Sequence, residues 1–98
     1  MTGGAARARF VVRGLVQGVN FRMAALYEAR ARGLTGRVWN RADGAVEVVA
    51  EGEPAALDEL AEWLSVGPRL ATVESVERSA LRAERQFRDF DISEGLVS

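Results

Sequence analysis

Residues 14–22, GLVQGVNFR, set two glycines and an arginine around the point where one hydrophobic period gives way to another. Gly14 and Gly18 let the backbone turn tightly and let a ligand approach the N–H groups of Leu15, Val16, Gln17, Gly18 and Val19. Consecutive N–H groups in such a turn form a concavity for an anion, and a helix N-terminus just beyond it reinforces the positive field. Arg22 falls in the first turn of that helix, where a cation is out of place. A phosphate held between the helix end and the guanidinium would turn repulsion into attraction, and the guanidinium fork matches two phosphate oxygens. The same residues also suit a plain glycine loop with a solvated arginine. The spacing is not that of a nucleotide-binding P-loop, which needs Gly-Lys-Ser/Thr after four spacer residues.

Asn40 is the second residue of chemical interest. It falls near the end of a strand, on the apolar-facing side, where an amide must find partners. It either holds the adjoining hairpin together or holds a water or a substrate oxygen. Other polar and aromatic residues have plainer readings. Asp43 belongs to a turn, Glu59 and Glu62 to a solvated helix face, Trp39 to a rim or outer packing position, and Tyr27 to the core.

The missing residue types narrow the chemistry further. The chain has no histidine and no cysteine, and all thirteen of its Lys-plus-Arg cations are arginine. Arginine stays protonated and cannot act as an ordinary general base. Ser-His and Cys-His pairs, Schiff bases and zinc sites built on nitrogen and sulfur are therefore excluded. Carboxylates, hydroxyls, amides, backbone N–H groups and arginine remain, so catalysis here would rest on positioning and electrostatics. A net charge of −1 and a pI near 5.5 speak against a general nucleic-acid binder.

These groups need a scaffold, and 98 residues with 48% apolar content suffice for one globular domain. Residues 1–6 read as a flexible tail and 7–98 as the domain. No apolar run approaches the ~20 residues of a membrane span, and the start lacks a signal-peptide pattern. The expected location is the cytoplasm.

Residues 8–16 alternate as a half-buried strand, with Ala8, Phe10, Val12 and Gly14 on one face. A helix follows Gly18, with Met23, Leu26, Tyr27 and Arg30 at helical spacing and Gly33 as its stop. A strand from about Thr35 to Arg41 leads into Asp43-Gly44, a two-residue hairpin signal. The next strand is AVEVVAE, with Val46, Val48 and Ala50 inward. Pro54 opens a second helix with Leu57, Leu60, Ala61 and Leu64 as its stripe, and Gly67-Pro68 ends it. A strand near Thr72 to Arg78 carries a register break, because Val73 and Val76 differ in parity. A short last strand is suggested by Phe87, Phe90 and Ile92. The order βαββαβ, with that short strand at the end, predicts an α+β fold of ferredoxin-like type: an antiparallel sheet with two helices on one face. A monomer is expected, because no large apolar face is left over.

VRGLVQGVNFR (residues 12–22) resembles the first signature of the acylphosphatases, and GRVWNRADGAV (residues 36–46) resembles the second. Gly67-Pro68 with Ala71 and Val73, and the terminal Phe90-Asp91-Ile92, are similar to that family too. The resemblance runs from about Arg9 to Ile92. It implies a ferredoxin-like α/β sandwich that hydrolyses the carboxyl-phosphate bond of acyl phosphates with no metal or cofactor. It also implies that Arg22 and the amides of Leu15 to Val19 bind phosphate, and that Asn40 orients the attacking water. The substrate's own oxygens then take the proton, so no protein base is needed. The implied partner is a small acyl phosphate, with no nucleic acid and no membrane. This chain departs from the family where Arg37 and Trp39 exchange the usual aromatic and basic positions, and where Ala42 stands for a common proline. Asn20 occupies a variable position. Two other functions remain to be weighed: a non-catalytic anion-binding module of this fold, and a single-stranded RNA binder, which would need exposed aromatics on the central strands.

Overall fold

The computed structural model describes residues 5–96. The chain forms β1 (Ala6–Leu15), α1 (Phe21–Ala31), β2 (Thr35–Asn40), β3 (Val46–Gly52), α2 (Pro54–Leu64), β4 (Thr72–Leu81) and β5 (Phe90–Leu96). Residues 1–4 of the expected tail lie outside the described residues; Ala6 already pairs with Gly52. The strands lie in the order β4-β1-β3-β2-β5. β1 is antiparallel to β3 and β4, and β2 is antiparallel to β3. Each helix therefore links two parallel strands with a third inserted between them, as the βαββαβ order requires.

Alternation decides which face of the sheet the helices cover. Ala8, Phe10, Val12, Val38, Val46, Val48 and Ala50 are buried in one cluster with Leu57, Leu60 and Leu64 of α2. The first helix corrects the sequence reading. Its buried residues are Phe21, Ala25, Leu26 and Ala29, while Met23 is exposed and Tyr27 is 63% exposed rather than in the core. Phe21 opens the helix and sets its inward face. Small alanines one and two turns later let the backbone approach the sheet closely, so the larger Met23 and Tyr27 are turned outward.

The opposite face has no helix over it, yet Val11 and Val49 are buried there. Arginine stems and ion pairs cover them: Arg9 and Arg41 both meet Glu47 (2.8 and 3.0 Å), and Arg7 meets Glu51 (3.4 Å).

Two irregularities matter for the site. The pairing of β1 with β4 shifts between Arg13 and Gly14, from Ser75 to Val73, so Glu74 is the extra residue of a bulge. This is the parity break read from Val73 and Val76. A side chain at Gly14 would put its Cβ 2.2 Å from the Thr72 carbonyl oxygen, so this glycine serves sheet packing rather than ligand approach. The β2–β3 loop also differs from expectation. Gly44 N–H donates to the Arg41 carbonyl (3.2 Å) and Arg41 N–H to the Ala45 carbonyl (2.8 Å), which makes a three-residue loop, 42–44, rather than a two-residue turn. Gly44, at φ 93°, takes the left-handed position that closes a turn of this length.

The last strand makes the sheet mixed: β5 pairs in parallel with β2. The reason is where the chain crosses. Buried Glu51 accepts hydrogen bonds from the Thr35 hydroxyl (3.1 Å) and from the N–H groups of Gln86 (2.8 Å) and Phe87 (3.1 Å). That anchor carries the chain from β4 across the end of the sheet to β2. β5 then runs beside β2 toward Asn40, with Ile92 opposite Val38.

Candidate active site

The loop after β1 is pinned from three directions. Val16 is 1% exposed in the core, Val19 packs against the core, and the Gln17 side-chain amide donates to the carbonyls of Arg41 (2.8 Å) and Ala45 (3.0 Å). Gly18 stands between these anchors at φ 77°, exposed, with nothing within 4 Å of where a Cβ would be. Packing does not demand glycine there; the left-handed backbone and the open approach do. Asn20 follows, also left-handed at φ 65°, as the N-cap of α1.

That helix start lacks its usual counterweights. Asn20 makes no side-chain cap bond, and the first turn holds no acidic residue. The first N–H groups of a helix have no intrahelical acceptor. Arg22 adds a full positive charge in the same turn. It stands one turn before Leu26 on the inward face, where the core has ended, and is half-buried. Among the described residues Arg22 makes no ion pair, which it shares with Arg37, Arg69, Arg82, Arg85 and Arg88, but of these six it alone stands in the first turn of a helix. Such a concentration of positive potential calls for an anion.

Asn40 closes the other side. Its amide oxygen is buried and has no hydrogen-bond partner, a state that costs about 1–3 kcal/mol unless a ligand or water relieves it. The β2–β3 hairpin beyond it is firmly held. The Asp43 carboxylate accepts from Ala45 N–H (3.1 Å) and from the Arg41 guanidinium (3.2 and 3.0 Å). These contacts, the Ala45 amide foremost, hold the Asp43 carboxyl at about 2, below its ordinary 3.8.

Val16, Gly18, Asn20, Arg22 and Asn40 meet around one cleft of about 250 Å³, and Phe21, Met23 and Ile92 complete its wall. Its polar side chains are two amides and a guanidinium, with no carboxylate among them. Of the residues expected at the site, Val16, Gly18, Arg22 and Asn40 come together. Leu15, Gln17 and Val19 do not line the cleft: Leu15 is 58% exposed, and Gln17 turns its amide to the hairpin. Only the backbone of these three remains for an anion. Met23 and Ile92 were missed as wall residues. Ile92 arrives through parallel pairing of β5 with β2, for which the sequence carries no signal beyond a short apolar alternation. A larger hollow of about 350 Å³ lies at the other end of the sheet, by Thr35, Glu51 and Arg85. Its buried carboxylate is already satisfied by Thr35, Gln86 and Phe87.

Comparison with known proteins decides the family. The acylphosphatase family model matches residues 8–92. The chain belongs to the acylphosphatase family. An acylphosphatase of Xanthomonas euvesicatoria is 56% identical over 73 residues, which is 74% of this chain and 83% of the relative. One from Marinobacter nauticus is 48% identical over 84 residues, 86% of this chain and 91% of the relative. The structure of an acylphosphatase from Coxiella burnetii superposes with a TM-score of 0.87 at 37% identity, covering 92% of this chain and 94% of that one. The fold is the ferredoxin-like α+β sandwich, and the activity is acyl phosphate hydrolysis. Arg37 and Trp39, where the sequence reading expects a departure from the family pattern, do not line the cleft. Arg37 lies over the Phe87 ring (5.3 Å), and Trp39 is half-buried on the outer face.

Proposed function

We propose that the cleft binds the phosphoryl group of an acyl phosphate and directs water onto its phosphorus, with no metal or cofactor. The Arg22 guanidinium and the amides of residues 15–19 hold the phosphoryl oxygens, and the start of α1 strengthens their field. Asn40 holds the water. The water oxygen bonds to phosphorus as the bond from phosphorus to the carboxyl oxygen breaks. The bonding pair leaves on the carboxylate, and a water proton passes to a phosphoryl oxygen of the substrate. Carboxylate and inorganic phosphate are the products. No protein base takes part, in keeping with a cleft of amides and a guanidinium in a chain without histidine. The observation that carries this reading is the unpaired Asn40 amide oxygen at the same cleft as an Arg22 that makes no ion pair among the described residues.

Phosphate release from benzoyl phosphate in chelator tests it. The wild type should turn over, with Arg22→Ala inactive and Asn40→Ala cut to a small residual rate, and labelled water should place its oxygen in phosphate rather than in benzoate. A folded wild type that binds phosphate but releases none would instead be a non-catalytic binding module. The protein acts, on this reading, as a cytoplasmic monomer. Supporting this, no helix among the described residues is long and apolar enough to cross a membrane, and ion pairs cover the sheet face that the helices leave bare. Sedimentation at the monomer mass is expected.

A further inference from the structure

The hydrogen bonds of Gln17 join the two halves of the site. Its Nε2 donates to the carbonyl of Arg41, the residue immediately after Asn40, at 2.8 Å, and to that of Ala45 at 3.0 Å. Ala45 carbonyl also accepts from Arg41 N–H, the last bond of the β2–β3 ladder. One side-chain amide thus uses both of its protons to clamp the mouth of the hairpin. On its own side, Gln17 lies between core-anchored Val16 and open Gly18. The cradle loop, residues 15–19, and Asn40 are more than twenty positions apart in the chain. Their mutual distance is not set by one continuous helix or strand. We propose that the Gln17 side chain is a positioning residue: it fixes the distance between the phosphate cradle and Asn40, and so the approach of the water to phosphorus. This rests on the reading of the cleft given above.

Cradle and Arg22 follow each other along the chain, so loosening the clamp leaves phosphate binding largely intact. What moves is the water relative to phosphorus, and a misplacement near 1 Å can cost about a hundredfold in rate. The test is Gln17→Met, which keeps the length and removes both donors. Expected are a folded protein by circular dichroism, an inhibition constant for phosphate within about threefold of wild type, and a kcat lower by about 10–100-fold. Introduced into Asn40→Ala, the same change should alter the residual rate by less than about threefold, because no positioned water is left to misplace. Should Gln17→Met fail to fold, Gln17→Glu provides the second measurement. A carboxylate there repels two carbonyls, whereas its protonated form donates to one. Its kcat should therefore rise relative to wild type as pH falls from 7 to 5. Unchanged kcat, a parallel loss of phosphate affinity, additivity with Asn40→Ala, or a flat pH ratio for Gln17→Glu would each overturn the proposal. Full turnover by Asn40→Ala alone would overturn the reading of Asn40 instead.

Discussion

Replacing Asn40 by alanine should cut turnover to a small residual rate and change stability by no more than about 1 kcal/mol. The argument starts from the amide oxygen, buried with no partner at the end of β2. An unsatisfied buried acceptor costs the folded state about 1–3 kcal/mol. A water held there offsets most of that cost, so alanine relieves only what remains. Against it stands lost packing at a half-buried position, smaller than the 2–5 kcal/mol of a fully buried large-to-small change in a core. The two terms nearly cancel, so the net change should fall within about 1 kcal/mol of zero. For a domain of this size each kcal/mol moves the melting temperature by about 4–8 °C. Thermal unfolding of wild type and Asn40→Ala, each with and without phosphate, reads both halves of the argument. Phosphate at about a hundred times its Kd should stabilise both proteins equally, by about 2.7 kcal/mol, because the cradle is untouched. A loss of more than about 1 kcal/mol in Asn40→Ala would show that the amide holds the hairpin together. A phosphate shift missing from that variant would make Asn40 a phosphate ligand. Either result refutes the reasoning.

Arg22→Ala should lose both turnover and phosphate-induced stabilisation, at a cost in binding of about 2–5 kcal/mol, and calorimetric titration with phosphate measures it. Arg22→Lys should recover part of the binding and little of the rate, since an ammonium offers a point charge without the fork. Asp43 sets a pH dependence. Its folded value, about 2, is below the ordinary 3.8, so its stabilisation is fully present above about 4 and is lost as pH falls through about 2. The difference in urea midpoint between wild type and Asp43→Asn should therefore be constant from pH 7 to 5 and shrink between pH 4 and 2. Tyr27→Ala should change stability by no more than about 0.5 kcal/mol, because the ring is exposed, whereas Phe21→Ala should cost about 3–5 kcal/mol. Chemical denaturation separates the two.

Strand alternation made the sheet legible. Val46, Val48 and Ala50 could face only one way, and the parity clash of Val73 with Val76 located the bulge that Glu74 supplies. The inward face of α1 was not legible, because it is written mostly in alanine. Ala25 and Ala29 carry little hydrophobic signal, yet their smallness brings the helix down onto the sheet and sends Tyr27 outward. Hairpin length was misread for a similar reason. Asp43-Gly44 suits a two-residue turn, but the register of β2 against β3 leaves three residues to span the gap.

The site divides in the same way between what a single segment encodes and what only the folded chain brings together. Arg22 could be singled out because it conflicts with its own local surroundings: a cation at a helix start, with no acid and no cap to offset it. Such a conflict is written within a few residues and can be read there. Asn40 carried a weaker signal, since its unpaired oxygen appears only once the neighbouring strands and loop are in place. The side chain of Gln17 carried none, because its partners are carbonyls of another segment and any residue type could have supplied them. This order suits a catalyst that uses no titrating side chain. Where chemistry rests on histidine or cysteine, the residue type announces it. On the proposed mechanism it rests on backbone amides, one guanidinium and a held water, so the decisive quantity is a distance between two segments. A distance of that kind belongs to the packing of Val16, the clamp of Gln17 and the register of β2.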